Sequence, residues 1–135
     1  MTGITTTPSS TAAALPLVGR IGLAAIFLLS GFSKLAAPAA TISYIQSAGL
    51  PLPQVAFAIA ALIEVGGGLA LVLGFRTRIV AAILAAFAIV TALAFHNNLA
   101  DQGQFINFWK NVAMAGGLLQ VVAFGAGRFS LDARR

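Results

Sequence analysis

Glu64 is a lone acidic residue inside a long apolar run, directly before three consecutive glycines. Hydrocarbon does not tolerate an unpaired carboxylate, so Glu64 must be either protonated or paired with a cation. We expect Arg20 to be its partner, because arginine is long, always charged and lies at the start of the first apolar segment. Such a pair could have a purely structural role, in which it fixes the register of two helices. Alternatively, the carboxylate could contact a ligand or exchange a proton.

Lys34, His96 and Lys110 are further candidates for a polar site. They flank apolar segments, and the expected topology brings all three to one mouth of the protein. Together with Glu64 and Arg20 they form the predicted set of ligand- or proton-binding residues. The alternatives are that the lysines reach the lipid headgroups and that His96 merely ends a helix.

No metal site is expected in this chain. It contains one histidine and no cysteine, and its three carboxylates are scattered over different depths. Zinc and the transition metals need clustered His, Cys or carboxylate ligands. The lack of cysteine also means that redox chemistry would need a bound cofactor or a partner protein.

The composition predicts a membrane protein. Of 135 residues, 59% are hydrophobic and only 8% are charged, whereas soluble domains carry about 25% charged residues. A helix that crosses a membrane needs roughly 20 mostly apolar residues. Four segments meet this requirement, at residues 15–35, 53–73, 79–95 and 105–124. The predicted fold is therefore an all-α integral membrane four-helix bundle.

The segments outside the predicted spans set the organisation and orientation. We expect a disordered N-terminal tail at 1–14, a transmembrane domain at 15–127 and a basic tail at 128–135, with a short interfacial helix around 41–48. Arginines collect at one end of the predicted bundle, and basic residues are retained on the cytoplasmic side. Both termini are thus predicted in the cytoplasm. The net charge of +5 points to lipid headgroups rather than nucleic acid as the anionic neighbour.

Small residues predict how the helices meet. Repeated at intervals of three or four residues, they let two backbones approach closely. On the first segment, Arg20, Phe27 and Lys34 are seven apart and share one face. The stripes on the later segments comprise Ala56, Ala60, Glu64 and Gly68, then Ala81, Ala85, Ala88, Ala92 and His96, then Ala113 and Gly117.

Three stretches resemble signatures of the DoxX family of small bacterial membrane proteins. They are RIGLAAIFLLSGFSKL at 20–35, IEVGGGLALVLGFRTR at 63–78 and GAGRFSLD at 125–132. The resemblance implies a multi-pass protein of the bacterial inner membrane, with a four-helix membrane domain linked to respiratory redox metabolism. Relatives in that family include a small subunit of a thiosulfate:quinone oxidoreductase and a membrane component associated with thiol and superoxide handling.

The same resemblance assigns positions to the candidate residues. Arg20 and Lys34 match the family's basic positions on the first helix, and Glu64 matches the acid of the second. His96 and Lys110 match polar positions on the third and fourth helices.

The sequence and the resemblance together favour a quinone- or redox-linked membrane subunit with a polar intramembrane site around Glu64. The suspected cofactor is a quinone, and a redox partner protein is implied. Two alternatives stay open. One is a noncatalytic scaffold that docks a redox enzyme at its arginine-rich face. The other is a small-molecule or proton transporter, which would require assembly into a homo-oligomer. Whether the chain is itself an enzyme is left open.

Overall fold

The computed structural model describes residues 9–134, which form helices and their connections without any strand. This confirms the predicted all-α class. The helices, in chain order, are α1 (Ser10–Ala36), α2 (Pro38–Ser47), α3 (Pro53–Leu73), α4 (Thr77–Phe95) and α5 (Gln102–Phe124), followed by a 3₁₀ turn at Asp132–Arg134.

Three of the described helices, α1, α3 and α4, are long and apolar enough to cross a membrane. They coincide with three of the four predicted spans, although α1 begins at Ser10, earlier than expected. Residues 1–8 of the predicted N-terminal tail lie outside the described residues. Helix α5 has 23 residues, similar to its neighbours, but it is more polar because Asn107, Lys110 and Asn111 occupy its first half. Helix α2 occupies the place of the predicted interfacial helix.

The turn between α3 and α4 is short because of glycine. Gly74 adopts φ +69°, a left-handed conformation that ends α3, and its N–H bonds back to the carbonyls of Ala70 and Leu71. A Cβ atom at this position would lie 2.3 Å from Cβ of Ser130. Both the backbone conformation and the close approach therefore require glycine.

The helices pack in two pairs, α1 against α3 and α4 against α5, and α1 hardly touches α5. Small residues bring α1 and α3 together, as predicted. A Cβ atom on Gly31 would lie 3.2 Å from Cβ of Glu64, and one on Gly68 would lie 2.8 Å from Leu28. The two pairs meet through α3 and α4, where Leu84 lies against Gly67.

The predicted stripe on α4 is confirmed, because Ala81, Ala85, Ala88 and Ala92 are all buried. The stripe predicted on α5 is wrong in part. Ala113 is exposed, and the buried residues are instead Ala115 and Leu118. The cause is Asn111, whose side chain bonds to α4 and fixes the rotation of α5.

Candidate functional site

Arg20 lies buried at the end of the bundle formed by the α3–α4 turn and the last residues of the chain. Its side chain is 1% exposed. Nη1 donates to the carbonyls of Leu71 (2.7 Å) and Val72 (2.9 Å), Nε donates to the carbonyl of Ala126 (3.1 Å), and Nη2 donates to that of Phe129. One guanidinium group thus joins α1, the end of α3 and the segment that follows α5. We call this region the arginine end.

The predicted Arg20–Glu64 pair is therefore wrong. Helices α1 and α3 run antiparallel, and their register places Arg20 level with Leu71, about 10 Å along α3 from Glu64. Lys34, fourteen residues further along α1, is the residue that reaches Glu64. The sequence alone did not reveal this register, because it depends on how α2 and its connections place the start of α3.

Glu64 is paired with Lys34. Lys34 Nζ donates to Glu64 Oε1 across 2.9 Å, and the side chains are 26% and 6% exposed respectively. The second carboxylate oxygen, Glu64 Oε2, is buried and has no hydrogen-bond partner among residues 9–134. A buried acceptor left without a donor costs about 1–3 kcal/mol, and more when it is charged. Glu64 Oε2 is thus the atom of this region with unused capacity to accept a hydrogen bond.

Glu64 lines a cleft of about 1080 Å³ that is bordered by α1, α3, α4, α5 and part of α2. Most of its wall is apolar, including Phe27, Ile63, Phe87 and Met114. Its polar lining consists of Ser30, Lys34, Thr41, Glu64, Thr91, His96, Asn107, Lys110 and Asn111, with the hydroxyl-bearing Tyr44. Four of the five predicted site residues therefore share one cleft, and the fifth, Arg20, does not line it. We call this region the lysine end.

The sequence analysis did not include six polar residues of the cleft among its site residues, namely Ser30, Thr41, Tyr44, Thr91, Asn107 and Asn111. Asn111 Nδ2 donates to the carbonyl of Ala88 (3.0 Å) and to Thr91 Oγ1 (2.9 Å). The available signal was an amide and a hydroxyl placed in otherwise apolar helices, which is expensive in lipid unless the groups find partners. Tyr44 of α2, which the sequence predicts as an anchor at the level of the lipid headgroups, lines the cleft and stacks on Phe95 with ring centroids 5.3 Å apart.

His96 follows the last residue of α4 and is partly buried in the cleft wall. Burial lowers the pKa of His96 below its usual value of 6.5. The imidazole is therefore neutral at pH 7 and offers the cleft one hydrogen-bond donor and one acceptor.

The C-terminal segment, predicted as a basic tail, is folded across the α3–α4 turn as far as Arg134. Asp132 accepts hydrogen bonds from the backbone N–H groups of Arg76 and Thr77, both at 2.8 Å. In the other direction, the N–H groups of Leu131 and Asp132 donate to the carbonyls of Leu73 (3.0 Å) and Gly74 (2.9 Å). The segment thus caps the end of α3 and the start of α4 together.

Comparison with known proteins places the chain among inner membrane proteins. The DoxX family model matches residues 15–97. Inner membrane protein YqjF of Escherichia coli strain K12 is 38% identical over 119 residues, which cover 86% of this chain and 88% of that protein. Inner membrane protein YphA of the same strain is 38% identical over 123 residues, which cover 87% and 88% respectively. No solved structure matches the chain.

Proposed function

Since the chain belongs to the DoxX family and is an inner membrane protein, we propose that its cleft binds a lipophilic quinone. The headgroup lies at the Lys34–Glu64 pair. One observation carries the proposal: a buried carboxylate oxygen without a partner stands beside a partly exposed ammonium group in an otherwise apolar cleft. Ligand sites combine these features, a mostly apolar wall and a few converging polar groups.

The ion pair supplies hydrogen bonds for both oxidation states of a quinone. Lys34 uses one N–H on Glu64 and keeps two more that can donate to a quinone carbonyl. Glu64 Oε2 accepts from the hydroxyl of a hydroquinone. A proton that passes from that hydroxyl to Glu64 leaves a hydroquinone anion, which the ammonium groups of Lys34 and Lys110 stabilise. The electrons are exchanged with a redox partner protein, because the chain has no thiol pair.

The rest of the cleft suits the apolar part of such a ligand. Its volume of about 1080 Å³ lies at the upper end of the range for small-molecule pockets, about 300–1,000 Å³. Apolar side chains from four helices form the wall, among them Ile26, Ile59, Ile83 and Phe87. An isoprenoid tail would move from contact with lipid acyl chains to contact with these side chains, and this transfer between two apolar surroundings would change its free energy little.

Equilibrium titration of the detergent-solubilised protein with a short-tailed ubiquinone tests the proposal. E64Q removes the charge and the ion pair with little change of shape, and we expect at least about tenfold weaker binding. T77V is the matched control, because Thr77 also carries a buried oxygen without a partner in residues 9–134 but does not line the cleft. Equal affinity of wild type, E64Q and K34M would contradict the proposed site.

We further propose that α5 is a fourth crossing helix and that the arginine end faces the cytoplasm, with both termini on that side. The excess of arginine at this end supports the orientation. The cysteine-free chain allows a clean test with single-cysteine variants at two exposed positions, N98C and A133C. In intact spheroplasts, a membrane-impermeant maleimide should label N98C but not A133C. The reverse pattern would overturn the orientation.

A further inference from the structure

The arginine end contains a second concavity, of about 540 Å³, that shares no lining residue with the cleft. Its walls come from the α3–α4 turn, the start of α4, the end of α5 and the C-terminal segment. Because α4 begins at Thr77 and α5 ends at Phe124, the concavity lies where the apolar helix α4 begins and the long helix α5 ends. In a membrane, this is the level of the lipid headgroups.

Two exposed arginines make the concavity positive. Arg76 and Arg78 both line it, and the guanidinium of Arg78 lies beside the backbone of Gly125. Asp132 also lines the concavity, but its carboxylate accepts from the N–H groups that open α4. Two guanidinium groups against one carboxylate leave the wall with an excess of positive charge. Arginine is the residue best suited to binding phosphate oxygens.

A buried hydroxyl group adds an independent observation. Thr77, which also lines the concavity, is 1% exposed, and its Oγ1 has no hydrogen-bond partner in the described part of the chain. Buried hydroxyl groups are normally satisfied, so an unpaired one calls for an explanation. A hydroxyl can donate to an anionic oxygen.

Two further lining residues of the concavity are apolar and face outward. Ile79 is 59% exposed and Phe124 is 79% exposed. A small free anion would make no favourable contact with these apolar side chains, whereas the acyl chains of a lipid would cover them. The combination of guanidinium groups, a hydroxyl donor and apolar flanks therefore fits one amphipathic ligand.

We propose that this concavity binds an anionic phospholipid of the leaflet at the arginine end. Arg76 and Arg78 contact the phosphate, Thr77 donates a hydrogen bond, and Ile79 and Phe124 contact the acyl chains. A bound lipid bridges the start of α4 and the end of α5, and so strengthens the arginine end without entering the cleft. The site does not depend on quinone binding.

Native mass spectrometry of the full chain in neutral detergent tests the site, with phosphatidylglycerol and phosphatidylcholine as the added lipids. We expect wild type to retain phosphatidylglycerol in preference. R76Q combined with R78Q should reduce the bound fraction of phosphatidylglycerol by about tenfold. T77V should reduce it less. Thermal unfolding of each variant without lipid checks that the exposed substitutions leave the fold intact.

The matched control is R128Q combined with R134Q, which removes two exposed arginines of the same end that do not line the concavity. It should retain phosphatidylglycerol like wild type. An equal loss in this control would show general charge attraction and overturn the site. Retention of both lipids alike by wild type would also overturn it. A rise in unfolding temperature with inorganic phosphate equal to that with phosphatidylglycerol would show a free-anion site and refute the lipid assignment.

Discussion

The arginine end and the lysine end of the bundle accommodate a buried charge in opposite ways. Arg20 is 1% exposed, and its guanidinium donates four hydrogen bonds, all to backbone carbonyls. Glu64 is buried almost as deeply, yet it has one ion-pair partner and an oxygen with none in residues 9–134. A buried charge with nearly all of its hydrogen-bonding capacity in use holds the structure together. One with capacity left over at a cleft wall is available to a ligand.

The difference originates in where each charge meets the helix backbone. The last carbonyls of α3 have no partner within the helix and carry partial negative charge, so they accept hydrogen bonds from the Arg20 guanidinium. Glu64 lies within α3, where the backbone groups are already bonded to one another. Its charge must therefore be met by side chains or by a ligand.

Removal of the Arg20 side chain should have the largest effect on stability. R20A removes the guanidinium donors to four carbonyls in two chain segments, and we expect a loss of about 3–5 kcal/mol in the free energy of unfolding. R20K should recover part of it, because an ammonium can bond some of the same carbonyls. Denaturant unfolding in detergent measures both variants. A loss below about 0.5 kcal/mol for R20A, typical of surface substitutions, would refute the contrast between the two ends.

Substitution of Gly74 should cause the second-largest loss in the free energy of unfolding. G74A forces alanine into a left-handed conformation and places its Cβ against Ser130, which together should cost about 2–3 kcal/mol. The control is G66A, since a Cβ at Gly66 meets only Leu62, at 3.9 Å. Unfolding measurements should show G66A close to wild type. Similar losses in both variants would mean that the turn itself is not the sensitive point.

The long-range cap formed by Asp132 should contribute less. D132A removes the acceptors for Arg76 and Thr77, and we expect a loss of about 1–2 kcal/mol. It should also expose the C-terminal segment to protease. D101A provides the comparison, because Asp101 caps only its own helix, through the N–H of Gln104. Protease resistance of D132A equal to that of D101A would contradict the proposed capping role.

At the lysine end, the Lys34–Glu64 pair should contribute little to stability. Lys34 is partly exposed, so K34M combined with E64Q should change the free energy of unfolding by about 1 kcal/mol or less. Quinone binding, in contrast, should be lost. A double-mutant cycle on both readouts separates the two roles. A stability loss as large as that of R20A would show that the Lys34–Glu64 pair also holds the structure together, and it would contradict the contrast between the two ends.

The smallest effect should be the pH dependence at His96. Its pKa is below the usual 6.5 in the folded protein, so the neutral form stabilises the fold at higher pH, and this stability is lost as the pH falls below 6.5. The cause is burial, which disfavours the charged imidazolium. Unfolding of wild type between pH 8 and pH 5 should show the decline, and H96Q should reduce it. If the stability of H96Q depended on pH in the same way as that of wild type, the decline would arise from groups other than His96.

Composition and periodicity were enough to predict the three apolar helices and the buried face of α4, because both depend on residues close in sequence. The predicted topology also brought Lys34, His96 and Lys110 to one mouth of the protein, and these three residues line one cleft. The partner of Glu64 was not predictable in this way, since register between α1 and α3 depends on tertiary packing.

The role of the C-terminal segment was missed for a similar reason. In sequence it reads as a short basic tail, and nothing local indicates that Asp132 caps a helix 55 residues earlier. The rotation of α5 likewise depends on Asn111 and its hydrogen bonds to α4. Contacts across long sequence separations set both features.

The wide sequence separation in the Arg20 cluster has a consequence for biosynthesis. Two of the carbonyls that receive this guanidinium belong to residues 106 and 109 positions later. At a translation rate of about 5–20 residues per second, α1 is made roughly 5–20 s before those acceptors exist. During that interval the guanidinium lacks two of the four carbonyl acceptors that it has in the folded chain. The burial of Arg20, and with it the attachment of α1 to the rest of the arginine end, is therefore completed only when the segment after α5 has been synthesised.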